Sequence, residues 1–214
     1  MNDNEYLREF IKACGPEALT HDRFWMPVLA SLPGIFRARE VNLFRFAFAV
    51  PNDEAIAVCV KHSPIIEVGA GGGYWARLIR LAGGNIIATD IEPGKPYGTL
   101  VKNGDRLQMW IDDIQQCDAA NAATAYPNRT LMLCWPPYND DMAERALAVY
   151  QGQRVIYIGE WDGCTATEAF HDALEAQWTE IESVKIPNWW GIHDTLWVYE
   201  RKQQRRRIKL GDKT

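Results

Sequence analysis

An acid and three alternating glycines, Glu67-x-Gly69-x-Gly71-x-Gly73, lie between two apolar runs. The first run, Ile65-Ile66-Glu67-Val68, leads into the glycines; the second, Asn85-Ile86-Ile87-Ala88-Thr89, ends on Asp90. A turn with so few side chains lets backbone N–H groups approach a ligand closely, at a helix N-terminus that favours polar or anionic groups. An acid at the end of the next strand can hold the two hydroxyls of a ribose. Residue types and spacing together therefore describe a place for a nucleoside.

Further residues of chemical interest follow. Asp112-Asp113-Ile114 comes after the apolar run Leu107–Ile111, and Leu133-Cys134 ends another run before Trp135-Pro136-Pro137-Tyr138. Glu160 follows the run 154–159, and His193-Asp194 precedes the last one. The dinucleotide fingerprint G-x-G-x-x-G is not met, because its third glycine falls on Tyr74. The spacing acid-x-G-x-G-x-G instead resembles the first motif of the class I S-adenosylmethionine-dependent methyltransferases, and the resemblance runs from about residue 65 to 201.

That resemblance implies S-adenosylmethionine as cofactor, held by Glu67, Gly69, Ala70, Gly71, Gly73, Asp90, Ile91, Asp113, Ile114 and Cys134. Backbone at Gly69 and Gly71 would meet the methionine part, Asp90 the ribose, and Asp113 with Ile114 the adenine, Asp112 being the rival of Asp113. Pro136-Pro137-Tyr138 is similar to the (Asp/Asn/Ser)-Pro-Pro-aromatic motif of enzymes that methylate planar amino groups. A conjugated amine is a weak nucleophile, so a polar side chain and a proline carbonyl draw its hydrogens while an aromatic ring holds its plane. By the match Pro136 offers the carbonyl and Tyr138 the ring face. Trp135 occupies the position of the polar acceptor, and an indole N–H can only donate. Glu160 and the His193-Asp194 pair are candidate substitutes, and Glu160 and His193 are candidate bases.

The implied reaction is in-line transfer of a methyl group to a small-molecule acceptor, including an amino nitrogen. No metal is implied, since the four histidines and five cysteines show no ligand spacing. Alternatives are an N-methyltransferase for a nucleic-acid base or protein amide, and a non-catalytic partner protein that binds the cofactor. An NAD(P)-dependent oxidoreductase ranks lower. Seven aromatics, Trp25, Phe36, Tyr74, Trp75, Trp161, Trp189 and Trp190, either fill the core and its interfaces or wall a pocket for a flat or cationic substrate.

The bulk properties agree with a cytoplasmic enzyme. The 214 residues suit one domain, with 47% apolar and 24% charged residues. No apolar run reaches the ~20 residues that span a membrane, and the first residues are polar and acidic rather than signal-like. Residues 201–214 carry seven Lys/Arg and one Asp; this surplus of six leaves −11 on the other 200 residues of a chain with net charge −5. An acidic body disfavours binding along a phosphate backbone. The basic tail reads as a solvated terminus, and the sequence is silent on oligomeric state.

The elements that must position these residues are legible as alternating periods. Helical spacing over 3–14 ends at Gly15-Pro16, residues 20–50 are aromatic and broken at Pro27 and Pro33-Gly34, and Pro51-Asn52-Asp53-Glu54 starts a helix reaching about Lys61. These form an N-terminal helical cap over 1–62, followed by a core over 63–201 and the tail over 202–214. Strands are predicted at 65–68, 85–90, 107–111, 130–135 and 154–159, and helices at 118–125 and 140–150. A helix capped by the box Thr165-Ala166-Thr167-Glu168 runs to Trp178. A loop is predicted at 91–105, on the ligand side. Strands at 180–186 and 195–200 are joined too tightly for a parallel crossover and must pair antiparallel. The predicted fold is α/β: a three-layer Rossmann-like sandwich whose seven-stranded, mostly parallel sheet closes on a C-terminal antiparallel hairpin.

Overall fold

The computed structural model describes residues 3–20, 31–96, 104–161 and 163–203. Trp25, Pro27, Tyr97, Gly98 and the tail arginines Arg205–Arg207 lie outside them. Seven strands form one sheet: β1 Ile65–Val68, β2 Ile86–Asp90, β3 Gln115–Gln116, β4 Thr130–Cys134, β5 Arg154–Gly159, β6 Trp178–Lys185 and β7 Thr195–Arg201. Their spatial order is β3-β2-β1-β4-β5-β7-β6. The first five pair parallel. β7 runs antiparallel to both β5 and β6, as the short connection required. The three-layer Rossmann-like sandwich expected from the alternating periods is the observed fold.

Side-chain alternation along the strands divides the core into two layers. Ile65, Met132, Ile156, Ile158, Leu196 and Val198 face one side, where they meet α1 (Glu5–Cys14), α3 (Asp53–Lys61) and α4 (Tyr74–Leu81). Ile66, Val68, Leu131, Leu133, Val155 and Tyr157 face the other, under α5 (Ala119–Ala125), α6 (Met142–Val149) and α7 (Glu168–Gln177). Glu67 and Cys134 fall on the first side by this alternation, beneath the N-terminal helices. Those helices are tied down through buried polar contacts. Asn4 caps α1 by accepting from Leu7 N and donates to the Pro51 carbonyl at 2.7 Å, while Trp189 donates to the Tyr6 hydroxyl at 3.0 Å. Asn52 caps α3 by accepting from Ala55 N at 2.9 Å.

Three expectations about local structure are corrected. Pro33-Gly34 does not break the chain but sits in the first turn of α2 (Leu32–Arg45), where a proline lacking its N–H costs no helical bond. The cap of α7 is Thr167, which accepts from Phe170 N at 3.1 Å, and not Thr165. The Thr165 hydroxyl instead donates to the Glu160 carbonyl at 2.7 Å. The third correction moves a strand. Residues 107–111 are not in the sheet; they cross over the glycine turn as an extended strap, with Leu107 N on the Gly94 carbonyl, Gln108 N on that of Phe44 and Trp110 N on that of Gly72. The true β3 is a two-residue edge strand of exposed glutamines.

Candidate active site

The chain reverses its direction of travel across the sheet between β1 and β4, the crevice where open α/β sheets receive ligands. A cavity of about 380 Å³ opens there, over the C-terminal ends of the strands. One half lies over β1, β2 and the start of α5 and is lined by Glu67, Gly69 to Gly72, Asp90, Glu92, Lys95, Asp118 and Arg145. The other half lies between the end of β4 and the last turn of α2 with the segment beyond it, and its lining includes Leu43, Phe46, Ala47, Phe48, Trp135 and Pro137.

The glycine spacing has a conformational cause. Gly69, Gly71 and Gly73 have φ of +77°, +57° and +78°, a region that residues with a Cβ rarely adopt. Space requires glycine as well: a Cβ at Gly73 would sit 2.5 Å from Ile111 Cγ1, and one at Gly72 would collide with the Gln108 carbonyl of the strap. Four N–H groups of this turn, where a ligand was expected, are satisfied within the protein. Gly69 N and Ala70 N both donate to the Thr89 carbonyl at 2.9 Å, Gly71 N donates to Asp90 Oδ2 at 2.9 Å, and Gly73 N to the Ala70 carbonyl at 2.8 Å. The turn thus contributes an open floor. Asp90 braces that floor with one oxygen and accepts Glu92 N at 2.9 Å with the other, which fixes its carboxylate at the rim of the cavity.

Glu67 is the electrostatic anomaly. It is 2% exposed, it lines the cavity, and its Oε2 has no hydrogen-bond partner. Burial, and then the charge of Asp90, push its carboxyl up to about 8. A buried carboxyl without partners is costly unless a ligand supplies a donor or a positive charge. Cys134 also lines the cavity, and burial followed by the charges of Glu67 and Asp194 raises its thiol well above the ordinary range, which leaves it neutral and unreactive.

The acids that follow residues 107–111 are placed differently. Asp113 is exposed outside the cavity and pairs with Arg80 at 2.7 Å, while Ile114 packs on Gly73 from behind the turn. The structure puts Cys117, Asp118 and Ala119 in the cavity instead. Asp118 caps α5 by accepting from Ala120 N and holds Arg145 at 3.1 Å. Glu67, Gly69, Ala70, Gly71, Asp90, Ile91 and Cys134, named in the sequence as cofactor residues, line the cavity; Gly73 shapes the turn without lining it.

None of the four residues expected to carry the chemistry reaches the cavity with a free group. The Pro136 carbonyl accepts Ala166 N at 3.0 Å, so it is not offered to a substrate. Tyr138 is 58% exposed and points away from the lining. Glu160 is buried, and its two oxygens accept His193 N and Cys164 N, each at 2.8 Å, which makes it a clamp between the β5 loop and the final hairpin. His193 is exposed and off the cavity.

Trp135 is what β4 presents in their place. Its N–H continues the pairing with β5 onto the Ile158 carbonyl, and its φ of +52° is a strained value for a large side chain. The indole stacks on Phe48 at 4.9 Å, and its Nε1 donates to Asp194 Oδ1 at 2.7 Å. Asp194 is 2% exposed, and burial pushes its carboxyl up to about 8. Of the seven aromatics singled out in the sequence, Tyr74 and Trp75 line the cavity. Trp189 packs on Tyr6 and Phe10, Trp190 on Phe36, and Trp161 on Trp197 on the opposite side of the sheet, all away from it. Phe46 and Phe48 were recognisable only as part of the aromatic stretch 20–50, with nothing there to indicate a wall.

No protein-family model matches the chain, and no curated protein matches its sequence. Among solved structures it is similar to magnesium protoporphyrin IX methyltransferase (ChlM) of Synechocystis PCC 6803 with bound SAM. The identity is 11%, with 94% of this chain and 98% of the other covered and a TM-score of 0.47. It is also similar to 1,6-didemethyltoxoflavin-N1-methyltransferase of Burkholderia thailandensis, at 17% identity, 83% and 92% coverage and a TM-score of 0.45. A third is the N-methyltransferase NodS of Bradyrhizobium japonicum WM9 in complex with S-adenosyl-l-homocysteine, at 12% identity, 79% and 99% coverage and a TM-score of 0.42. Among the described residues no cluster of His, Cys, Asp and Glu could hold a metal ion, and no helix is long and apolar enough to cross a membrane.

Proposed function

We propose that this chain is an S-adenosylmethionine-dependent methyltransferase acting on a small molecule. The observation that carries the reading is the buried Glu67 carboxyl, with its Oε2 unpartnered, in a cavity that Asp90 also lines. A nucleoside offers its ribose hydroxyls to Asp90, and one that also brings a cationic donor relieves the cost of Glu67. S-adenosylmethionine carries both an ammonium and a sulfonium. When bound, it supplies a methyl group already activated by the positive sulfur.

A dinucleotide fits poorly by the same criteria. Its pyrophosphate needs free backbone N–H groups, and those of Gly69, Ala70 and Gly71 are satisfied internally. It would also lie among Glu67, Asp90 and Glu92. What the chain contributes to methyl transfer is positioning and exclusion of water. Asp90 and Asp118 fix the two ends of the nucleoside, and the Leu107–Ile111 strap closes over the glycine turn. The aromatic half keeps the acceptor dry. Alignment of two reactants can supply roughly 7–11 kcal/mol.

Calorimetric titration with S-adenosylmethionine tests the reading. The wild type is expected to bind, and Asp90→Ala to lose about 100-fold, the equivalent of two hydrogen bonds to a charged group. Binding of NADH in preference to S-adenosylmethionine would overturn it.

A further inference from the structure

We propose that the methyl acceptor is a planar, uncharged ring with a pyridine-type nitrogen, and that it packs against the stacked pair Trp135 and Phe48 to give an N-methylated cation. The inference rests on the methyltransferase reading above and concerns the other half of the same cavity. Among the described residues its walls include Leu43, Phe46, Ala47, Phe48, Trp135 and Pro137, apolar apart from the indole N–H, which Asp194 occupies. A charged acceptor would lose its hydration there with no partner in exchange.

Among the described residues the acceptor half offers no unengaged base, and this selects the attacking atom. Hydroxyl and amine acceptors release a proton on methylation and need a group to receive it. Both oxygens of Glu160 already accept backbone N–H groups, His193 is outside the cavity, and Asp194 is engaged by Trp135. Of the described carboxyls that do line the cavity, Glu67, Asp90, Glu92 and Asp118 belong to the donor half, and Asp140 is engaged at the start of α6, where it accepts Met142 N at 2.9 Å. A pyridine-type nitrogen needs no base. Its lone pair forms the N–CH3 bond as the C–S bond breaks, the sulfur leaves as a neutral thioether, and the positive charge passes from sulfur to the ring. No proton moves. The new cation then lies against indole and phenyl faces, which favour it by cation–π attraction. Trp135 is held in its strained backbone by Phe48 on its ring and Asp194 on its nitrogen, so Asp194 is a positioning residue for the platform.

The test uses the complex of the full chain with S-adenosylhomocysteine and two probes of the same shape and opposite charge, N-methylquinolinium and 2-naphthoate, followed by tryptophan fluorescence. The cation is expected to bind at least tenfold more tightly than the anion. Trp135→Leu should abolish that preference, with affinity for S-adenosylhomocysteine within threefold of wild type. Asp194→Asn, which still accepts from the indole, should keep it, whereas Asp194→Leu should lose it, with a circular dichroism melt to verify that each variant folds. In parallel, labelled S-adenosylmethionine should methylate quinoline and not 2-naphthol. If S-adenosylmethionine binds but the anion is preferred, neither ring binds, or 2-naphthol is the one methylated, the acceptor assignment is wrong while the donor assignment stands. If S-adenosylmethionine itself does not bind, the underlying function fails and the acceptor assignment fails with it.

Discussion

The two halves of the cavity are built by different means. The donor half is made of consecutive residues at strand ends: a glycine turn after β1, Asp90 at the end of β2, and Asp118 just beyond β3. Its shape comes from backbone geometry and its chemistry from carboxylates. The acceptor half is assembled from segments far apart in sequence: Leu43 in the last turn of α2 and Phe46 to Phe48 after it, Trp135 after β4, and Asp194 from the final hairpin behind it. Its shape comes from side-chain packing. A binding function that depends on local backbone geometry leaves a spacing in the sequence, whereas one that depends on tertiary packing does not.

The largest effect should come from attacking the backbone of the donor half. Gly73→Val forces a β-branched residue into φ +78° and drives its Cβ against Ile111. The backbone strain and the overpacking together should cost about 3 kcal/mol, read as a lower midpoint in urea unfolding, with S-adenosylmethionine binding abolished. Phe48→Ala, the corresponding insult to the acceptor half, should leave the affinity for S-adenosylhomocysteine within about threefold and remove binding of flat rings. If Phe48→Ala weakened the nucleoside as much as the ring, the two halves would not be separate sites.

Next in size is the pH dependence of the donor half. Glu67 is held up to about 8 by burial and the neighbouring Asp90 charge, so the cofactor-free protein keeps it protonated at neutral pH. A cationic ligand favours the ionised form. Affinity for S-adenosylmethionine should therefore fall as pH drops from ~9 to ~6, by up to tenfold per unit, and Glu67→Gln should flatten that profile. The stability of the free protein has the opposite sign. A carboxyl whose folded value is raised binds more protons folded than unfolded, so its contribution is full below the ordinary Glu value and is lost as pH rises through about 8. Glu67→Gln should accordingly stabilise the free protein at pH ~9 by about 2 kcal/mol and change little at pH ~5, as measured by thermal melts without ligand.

How much of this was legible follows the same division. The buried strands at 65–68, 86–90, 130–134 and 154–159 announced themselves as apolar runs, and the antiparallel close followed from a loop too short to cross over. The glycine spacing was legible because left-handed φ values cannot be hidden in other residue types. β3 was not: two exposed glutamines on a sheet edge bury nothing and leave no period, while Leu107–Ile111 imitates a strand because it is extended and packed on the turn. The placement of the Pro-Pro-Tyr motif was not legible for a related reason. Sequence cannot show that the Pro136 carbonyl is already taken by Ala166, nor that the chain after β4 turns Trp135 rather than Tyr138 toward the cavity.

The smallest effect separates the two readings of the adenine-end acid. Asp113 and Asp118 are both aspartates close after an apolar run, and each pairs with an arginine, Arg80 and Arg145. Only Asp118 lines the cavity and caps a helix that starts there. Asp118→Ala should cost about 1 kcal/mol of stability through the lost cap and weaken S-adenosylmethionine by roughly tenfold, one hydrogen bond's worth. Asp113→Ala removes an ion pair whose carboxylate is 60% exposed, so stability should change by no more than ~0.5 kcal/mol and affinity not measurably. Should Asp113→Ala prove the more damaging of the two to S-adenosylmethionine binding, the nucleoside would have to extend behind the strap rather than along the strand ends. The donor half would then be no more local in its construction than the acceptor half.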